Sequence, residues 1–252
     1  DWPVLLSKCL ISDNAETQQA AQAIVRQFGR NLGYLLRMLK CGNPAARPEW
    51  DAAAWDYWRA VKLVTLGGGL TQGTLGQHLT EDATSVFLEA GETPPTLRVS
   101  PYGSKLPLVG AARYVPAGCD DALVLDFGGS FVKRAHAIYR HNMLVELQCL
   151  ESVATQYFTA EEAQQLFDFM AETIAETWHC LKRAASPLVS MIPVSLASYV
   201  DRDGQPSIQS RSPFSAMRTL VDNVQAGLSK VISEQLAQPV QVIFIHDGTA
   251  AA

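Results

Sequence analysis

The chain of 252 residues is 48% hydrophobic and 18% charged, with a formal net charge of −5. That length buries a substantial core, in one large domain or two modest ones. The acidic balance, with no run of Lys or Arg, excludes the clustered positive charge that a nucleic-acid surface needs.

The apolar stretches are of strand length, so no membrane-spanning helix is expected, and the opening Asp-Trp-Pro-Val does not read as a signal sequence. Cys9, Cys41, Cys119, Cys149 and Cys180 lie far apart without a CxxC pair, as reduced thiols of a cytoplasmic protein would. Residues 13–40 read as a helix. Asp13 and Glu16 have capping-box spacing, and Val25, Phe28, Leu32, Leu35 and Leu39 recur at three- and four-residue steps before Cys41-Gly42-Asn43-Pro44 ends the pattern. A tryptophan-rich segment (Trp50, Trp55, Trp58) leads to a strand at 61–66 that runs into Gly67, Gly68 and Gly69. A helix is expected at about 75–90, closed by Gly91, then a short strand at 96–100 and a weakly helical stretch at 106–114. Pro116, Gly118, Asp120 and Asp121 punctuate residues 116–121, the expected linker.

Beyond the linker the pattern changes. Residues 122–127 form a nearly continuous apolar run, as a strand buried on both faces requires. Two further strands are expected at 130–139 and 143–153, turning at Arg140-His141-Asn142. Thr159 and Glu162 make a capping box for a helix with Leu166, Met170, Ile174 and Leu181 on one face. A strand at 188–192 is expected to stop at Pro193, a helix to run from 214 to about 236, and a last strand to span 240–246. Strand, strand, strand, helix, strand, helix, strand implies a mixed α/β sheet with helices on both faces. Ligands of such sheets gather at the carboxyl ends of the strands.

Three glycine–carboxylate signals lie at such ends. In Asp126-Phe-Gly-Gly-Ser-Phe-Val-Lys133, Gly128, Gly129 and Ser130 can bring backbone N–H groups and a hydroxyl close to phosphate oxygens. Lys133 adds positive charge, and Asp126 can hold a water on Mg²⁺; an ordinary Gly-Gly turn is the alternative. Gly67, Gly68 and Gly69 leave a bare backbone against which a flat ring or ribose could lie, although glycine-rich strand exits are common. Asp247, ahead of Gly248-Thr249, can accept a proton from an attacking hydroxyl or cap the helix that follows.

Together these segments resemble the sugar kinases of the actin–hexokinase superfamily. Residues 123–133 resemble the first phosphate motif of hexokinases and ROK kinases. Residues 166–175 are similar to the helix after the hexokinase hairpin, and residues 242–249 to the segment carrying that family's catalytic aspartate. Val64-Thr-Leu-Gly-Gly-Gly-Leu70 resembles the adenosine motif, and residues 106–112 its flank in ROK kinases. The resemblance implies a ribonuclease H-like sheet in 122–252 and part of a second, similar lobe in 1–115. It also implies ATP and Mg²⁺ as cofactors and a small-molecule sugar as partner, with no nucleic acid or membrane. Asp247 would be the base, and Gly128, Gly129, Ser130 and Lys133 the phosphate cradle. Asp126 would act through the metal's water, and Gly67, Gly68 and Gly69 would form the adenosine floor.

The adenosine motif here precedes the phosphate motif, the reverse of the family order. No second phosphate loop of the Gly-Thr-Gly kind follows Asp247, so the chain reads as circularly permuted or as a fragment. Ser210 and Arg211 occupy the place of a Thr-Lys sugar-binding pair, His246 that of an asparagine, and Met191-Ile192-Pro193 that of a Ser-Phe-Pro loop. These changes keep open a second reading, a non-catalytic sugar- or nucleotide-binding protein on the same fold. A chaperone- or actin-like ATPase is disfavoured by the hexokinase-like helix.

Overall fold

A computed structural model gives the fold of residues 2–43, 45, 51–71, 73–182, 187–208 and 212–251. The chain forms two compact units, Asp1–Ser104 and Lys105–Ala252. In the first, helices α1 (Trp2–Leu10), α2 (Ala15–Cys41) and α3 (Ala52–Ala60) precede strand β1 (Leu63–Leu66), helix α4 (Gly73–Glu89) and strand β2 (Thr96–Val99). β1 and β2 pair in parallel, from Leu63 opposite Thr96 to Leu66 opposite Val99. The cap of α2 is Asn14, not Asp13: its side chain accepts the Thr17 N–H at 2.9 Å. α2 and α4 approach closely because two glycines face the contact. A Cβ on Gly33 would stand 2.6 Å from the Ala83 carbonyl oxygen, and one on Gly29 would press on Asp82. Bidentate pairs join Arg30 of α2 to Glu89 at the end of α4 and Arg37 of α2 to Glu92 just beyond it, and the guanidinium hydrogen bonds hold both glutamates below the usual carboxylate range. Exposed pairs of this kind fix orientation more than they stabilise. Trp50 lies outside the described residues; Trp55 and Trp58 lie on α3, which the Asp51 carboxylate caps by accepting the Ala54 N–H.

The second unit contains α5 (Leu106–Ala112), β3 (Asp121–Phe127), β4 (Phe131–Arg140), β5 (Met143–Cys149), β6 (Val153–Ala154), α6 (Ala163–Lys182), β7 (Met191–Leu196), α7 (Pro213–Ala216), α8 (Val224–Leu236), β8 (Gln241–His246) and α9 (Asp247–Ala251). The sheet order is β5–β4–β3–β7–β8, with β6 paired to β4. β4 is antiparallel to β3 and β5, whereas β7 is parallel to β3 and β8 parallel to β7. This is the mixed α/β arrangement that the element order implied: a hairpin meander, then crossovers through helices.

β3 is buried along its whole length. Leu123, Leu125 and Phe127 enter one core with Met170, Ile174 and Trp178 of α6 and Leu228 and Ile232 of α8. Ala122 and Val124 point into the other, with Leu108, Ala111 and Ala112 of α5 and Ala250 of α9. Small residues on this second face, among them Ala135 and Ala137 of β4, bring α5 close to the sheet. His141 and Asn142 take φ of 52° and 63°, making the tight turn expected between β4 and β5. The Thr159–Glu162 capping box forms as expected: Glu162 accepts the Thr159 N–H at 2.8 Å, which lowers its carboxyl pKa.

The structure corrects four further expectations. The strand placed at 188–192 lies instead at Met191–Leu196 and passes through Pro193. The N–H groups of Val189 and Ala197 donate to β3, so the intervening odd-numbered Pro193 faces that side with no donor, and regular β3–β7 pairing begins only at Val194. The helix expected over 214–236 is interrupted, because Asn223 caps a new helix through the Ala226 N–H and Gln205 accepts the Val224 N–H. The strand expected to reach 153 ends at Cys149, and Val153 and Ala154 pair back on β4. The compact units meet at Ser104 and Lys105, so residues 116–121 connect α5 to β3 inside the second unit.

The crossing of α5 over α9 yields a test. A Cβ at Gly110 would overlap the Ala250 carbonyl, whereas one at Gly129 meets nothing within 4 Å. Gly110→Ala should destabilise the full chain by about 1–3 kcal/mol or more in urea unfolding, while Gly129→Ala should change stability by under about 1 kcal/mol.

Candidate functional site

Parallel pairing aligns the carboxyl ends of three strands. Phe127 of β3 lies opposite Leu196 of β7, and Leu196 opposite His246 of β8. Asp126 therefore lies one residue before the end of β3, and Asp247 one residue after the end of β8, at the same edge of the sheet.

After Phe127 the chain reverses through Gly128, Gly129 and Ser130, with the Gly128 N–H donating to the Phe131 carbonyl at 3.1 Å. Thr155 braces this turn: its N–H donates to the Ser130 carbonyl and its Oγ1 to the Gly128 carbonyl, both at 3.0 Å. Neither Gly128 nor Gly129 has a positive φ. The glycines supply open backbone and not a left-handed turn, since a Cβ at Gly129 would touch nothing and both Gly129 and Ser130 are exposed. An anion can approach such a turn closely.

Asp126 is buried, with 4% of its side chain accessible. Its Oδ2 accepts from Lys133 Nζ at 2.7 Å across the β3–β4 ladder, and its Oδ1 accepts from Ser195 Oγ of β7 at 3.0 Å. Lys133, expected to face phosphate, is thus engaged with Asp126, though an ammonium has two further donors and 30% of this side chain is exposed. Ser195 and Thr155 escaped the sequence reading, because a single hydroxyl carries no periodic or spacing signal.

At the other strand end, Asp247 is the first residue of α9, and its Oδ1 accepts the N–H of the next residue, Gly248, at 2.7 Å. His246 Nε2 lies 3.2 Å from the same oxygen. The Asp247 side chain is 44% exposed, in contrast to Asp126. Tyr199, also unmarked in the sequence, stacks on His246 with ring centroids 4.7 Å apart. Met191-Ile192-Pro193 lies within β7 and not in a loop. Ser210 and Arg211 lie outside the described residues.

Gly67, Gly68 and Gly69 follow β1 in the first unit. Gly68 adopts φ 101°, which favours glycine, and its N–H donates to the Gly103 carbonyl at 3.1 Å.

Among the described residues no cluster of three or more His, Cys, Asp or Glu could enclose a metal ion. Mg²⁺ does not require one: it keeps several waters and is held by one or two carboxylates together with substrate phosphates. Each partnered oxygen of Asp126 retains a second lone pair, so the residues fit an outer-sphere role, and the exposed turn beside it fits phosphate. Among the described residues no helix is long and apolar enough to cross a membrane.

No family model matches the chain, and no curated protein matches it. Among solved structures, the ethanolamine utilization protein EutJ from Carboxydothermus hydrogenoformans is similar at 16% identity and a TM-score of 0.39, over 88% of this chain and 74% of that one. A Ppx/GppA phosphatase from Aquifex aeolicus is similar at 10% identity and a TM-score of 0.40, over 87% and 80%. A ROK family transcriptional regulator, a homologue of the E. coli MLC protein, gives 12% and 0.29, with 46% of its own length covered.

The Asp126–Lys133 pair can be tested by a double-mutant cycle. Lys133→Met leaves a buried carboxylate without its cation. It should cost about 2–3 kcal/mol in urea unfolding, less than the ~3–5 kcal/mol of a fully buried pair, because Lys133 is partly solvated. Adding Asp126→Asn should recover most of the loss, since the buried charge is then gone.

Proposed function

We propose that the chain carries the first phosphate site and the catalytic base of an ATP-dependent sugar kinase. The observation supporting this reading is the shared strand edge: an exposed glycine turn with a buried carboxylate beside it at the end of β3, and a solvent-accessible carboxylate at the end of β8. A sheet of this order is compatible with nucleotide binding, and its carboxyl edge is where ligands of α/β sheets lie.

In this reading the backbone of Gly128, Gly129 and Ser130 receives the phosphates, and Lys133 adds charge through the donors left over from Asp126. Asp126 is oriented by Ser195 and Lys133 and would hold metal-bound water; Mg²⁺, when bound, would neutralise phosphate charge. Asp247 takes the proton of the sugar hydroxyl on Oδ2, because Oδ1 already accepts from Gly248. The hydroxyl oxygen then forms a bond to the terminal phosphorus as the bond to the bridging oxygen breaks, and ADP leaves with that electron pair. Ser210 and Arg211 remain candidate sugar contacts.

One observation favours the non-catalytic alternative: Lys133 and Asp126 satisfy each other, as a purely structural pair would.

ADP release from Mg·ATP, measured over a panel of hexoses and amino sugars, separates the two readings. The kinase reading expects Asp247→Ala to lower turnover by about 10²–10⁴-fold with nucleotide affinity nearly unchanged, and Gly129→Val to weaken nucleotide binding instead. ATP binding without transfer to any sugar would favour the binding protein. Full turnover by Asp247→Ala would remove the base role from that residue.

A further inference from the structure

Tyr199 follows β7 and keeps 64% of its surface exposed, yet its position is tightly determined. Its ring lies on the His246 imidazole with planes 27° from parallel. That imidazole is held in turn: Nε2 is 3.2 Å from Asp247 Oδ1, and a Cβ at Gly248 would stand 2.7 Å from Cε1.

The backbone under Tyr199 is equally constrained. Its carbonyl accepts the Ser207 N–H at 2.7 Å, and Val200 bridges Pro206. Within this loop Asp201 accepts the N–H groups of Asp203 and Gln205 on Oδ1 and Arg218 on Oδ2. Gln205, only 3% exposed, donates to Asn223 and accepts the Val224 N–H at the start of α8. A loop anchored by a network of polar bonds, with the Gln205–Val224 bond buried, thus presents an aromatic face beside the candidate base. A ring held this way loses little conformational entropy when a ligand settles on it.

We propose that Tyr199, backed by His246, is the platform on which the pyranose ring of the acceptor rests, so that this residue selects a cyclic sugar. The inference rests on the kinase reading of the same strand edge. One face of a pyranose presents axial C–H bonds and is apolar, which suits an aromatic face, while the hydroxyls at its rim remain available to polar partners. Position separates acceptor from nucleotide. The acceptor hydroxyl must reach Asp247, whereas adenine is separated from the transferred phosphorus by a ribose and two phosphates. Tyr199 is one imidazole away from Asp247, so the ring above it belongs to the acceptor.

The test compares Tyr199→Ala, Tyr199→Phe and Tyr199→Trp in the full chain. Steady-state transfer from Mg·ATP to the hexose panel gives KM for each substrate, and saturation-transfer NMR with the methyl glycosides of the same sugars reads contact without turnover. Tyr199→Ala should raise the sugar KM about 3- to 10-fold, leave the ATP KM unchanged and abolish saturation of the pyranose protons. Phe and Trp should restore both, which a folding defect would not allow. An unchanged sugar KM, a rise in the ATP KM alone, or no rescue by Phe overturns the platform while leaving the kinase reading standing. If the wild-type protein transfers no phosphate yet saturates sugar protons in a Tyr199-dependent way, the platform stands and the kinase reading falls. Absence of contact with every sugar on the wild-type protein overturns the platform.

Discussion

Strand β3 has no solvent face, and the second unit is organised around that burial. Its odd-numbered residues Leu123, Leu125 and Phe127 enter the core under α6 and α8, and Ala122 and Val124 enter the core under α5 and α9. A strand covered on both faces can hold only one register, because a slip of one residue would exchange large side chains for small ones on each side. With β3 pinned, β4 pairs along it in antiparallel fashion and β7 in parallel, and β8 follows β7. The alignment of Phe127, Leu196 and His246 is a consequence of this register, as is the presence of two aspartates at one edge.

Those aspartates occupy opposite environments. Asp126 is buried, where an unpaired carboxylate would be strongly disfavoured, and it is held by a lysine on one neighbouring strand and a serine on the other. Such a group is rigid and suited to orienting something else. Asp247 lies where strand becomes helix, is well exposed, and touches only short-range neighbours through Oδ1. Its freedom suits proton exchange with a ligand. The division of roles in the proposed reaction follows this contrast in solvation.

The first unit uses different physics. Its strands β1 and β2 form a two-stranded parallel sheet with alternating exposed and half-buried residues, which is marginal without support. The support comes from helices: Gly29 and Gly33 let α2 settle closely on α4, and Val25 of α2 packs with Leu75 and Leu79 of α4. The glycine run after β1 is placed by this packing, and the left-handed conformation of Gly68 explains one of its three glycines directly.

Local signals determined much of this in advance. The apolar run of β3, the Thr159–Glu162 box, the His141–Asn142 turn and the stripe of α6 each depend on residues within one element, so their chemistry is written in sequence spacing. The carboxylates of Asp126 and Asp247 could be marked for the same reason, as acidic residues within two positions of a glycine at the end of apolar runs. What lay beyond reach depended on neighbours distant in the chain. Pro193 sits inside a strand because Ile243 on β8 pairs with it, and the helix expected over 214–236 breaks because Asn223 and Gln205 accept the first N–H groups of its second half. Helix α5 belongs with the second unit because its small residues meet β3 and α9. Lys133 turned inward to Asp126, and Tyr199 came to lie on His246, only through strand register and loop anchoring. Propensity and spacing act over a few residues, whereas the pairing of a buried charge or an aromatic face is decided by whatever the completed sheet brings within a few ångströms.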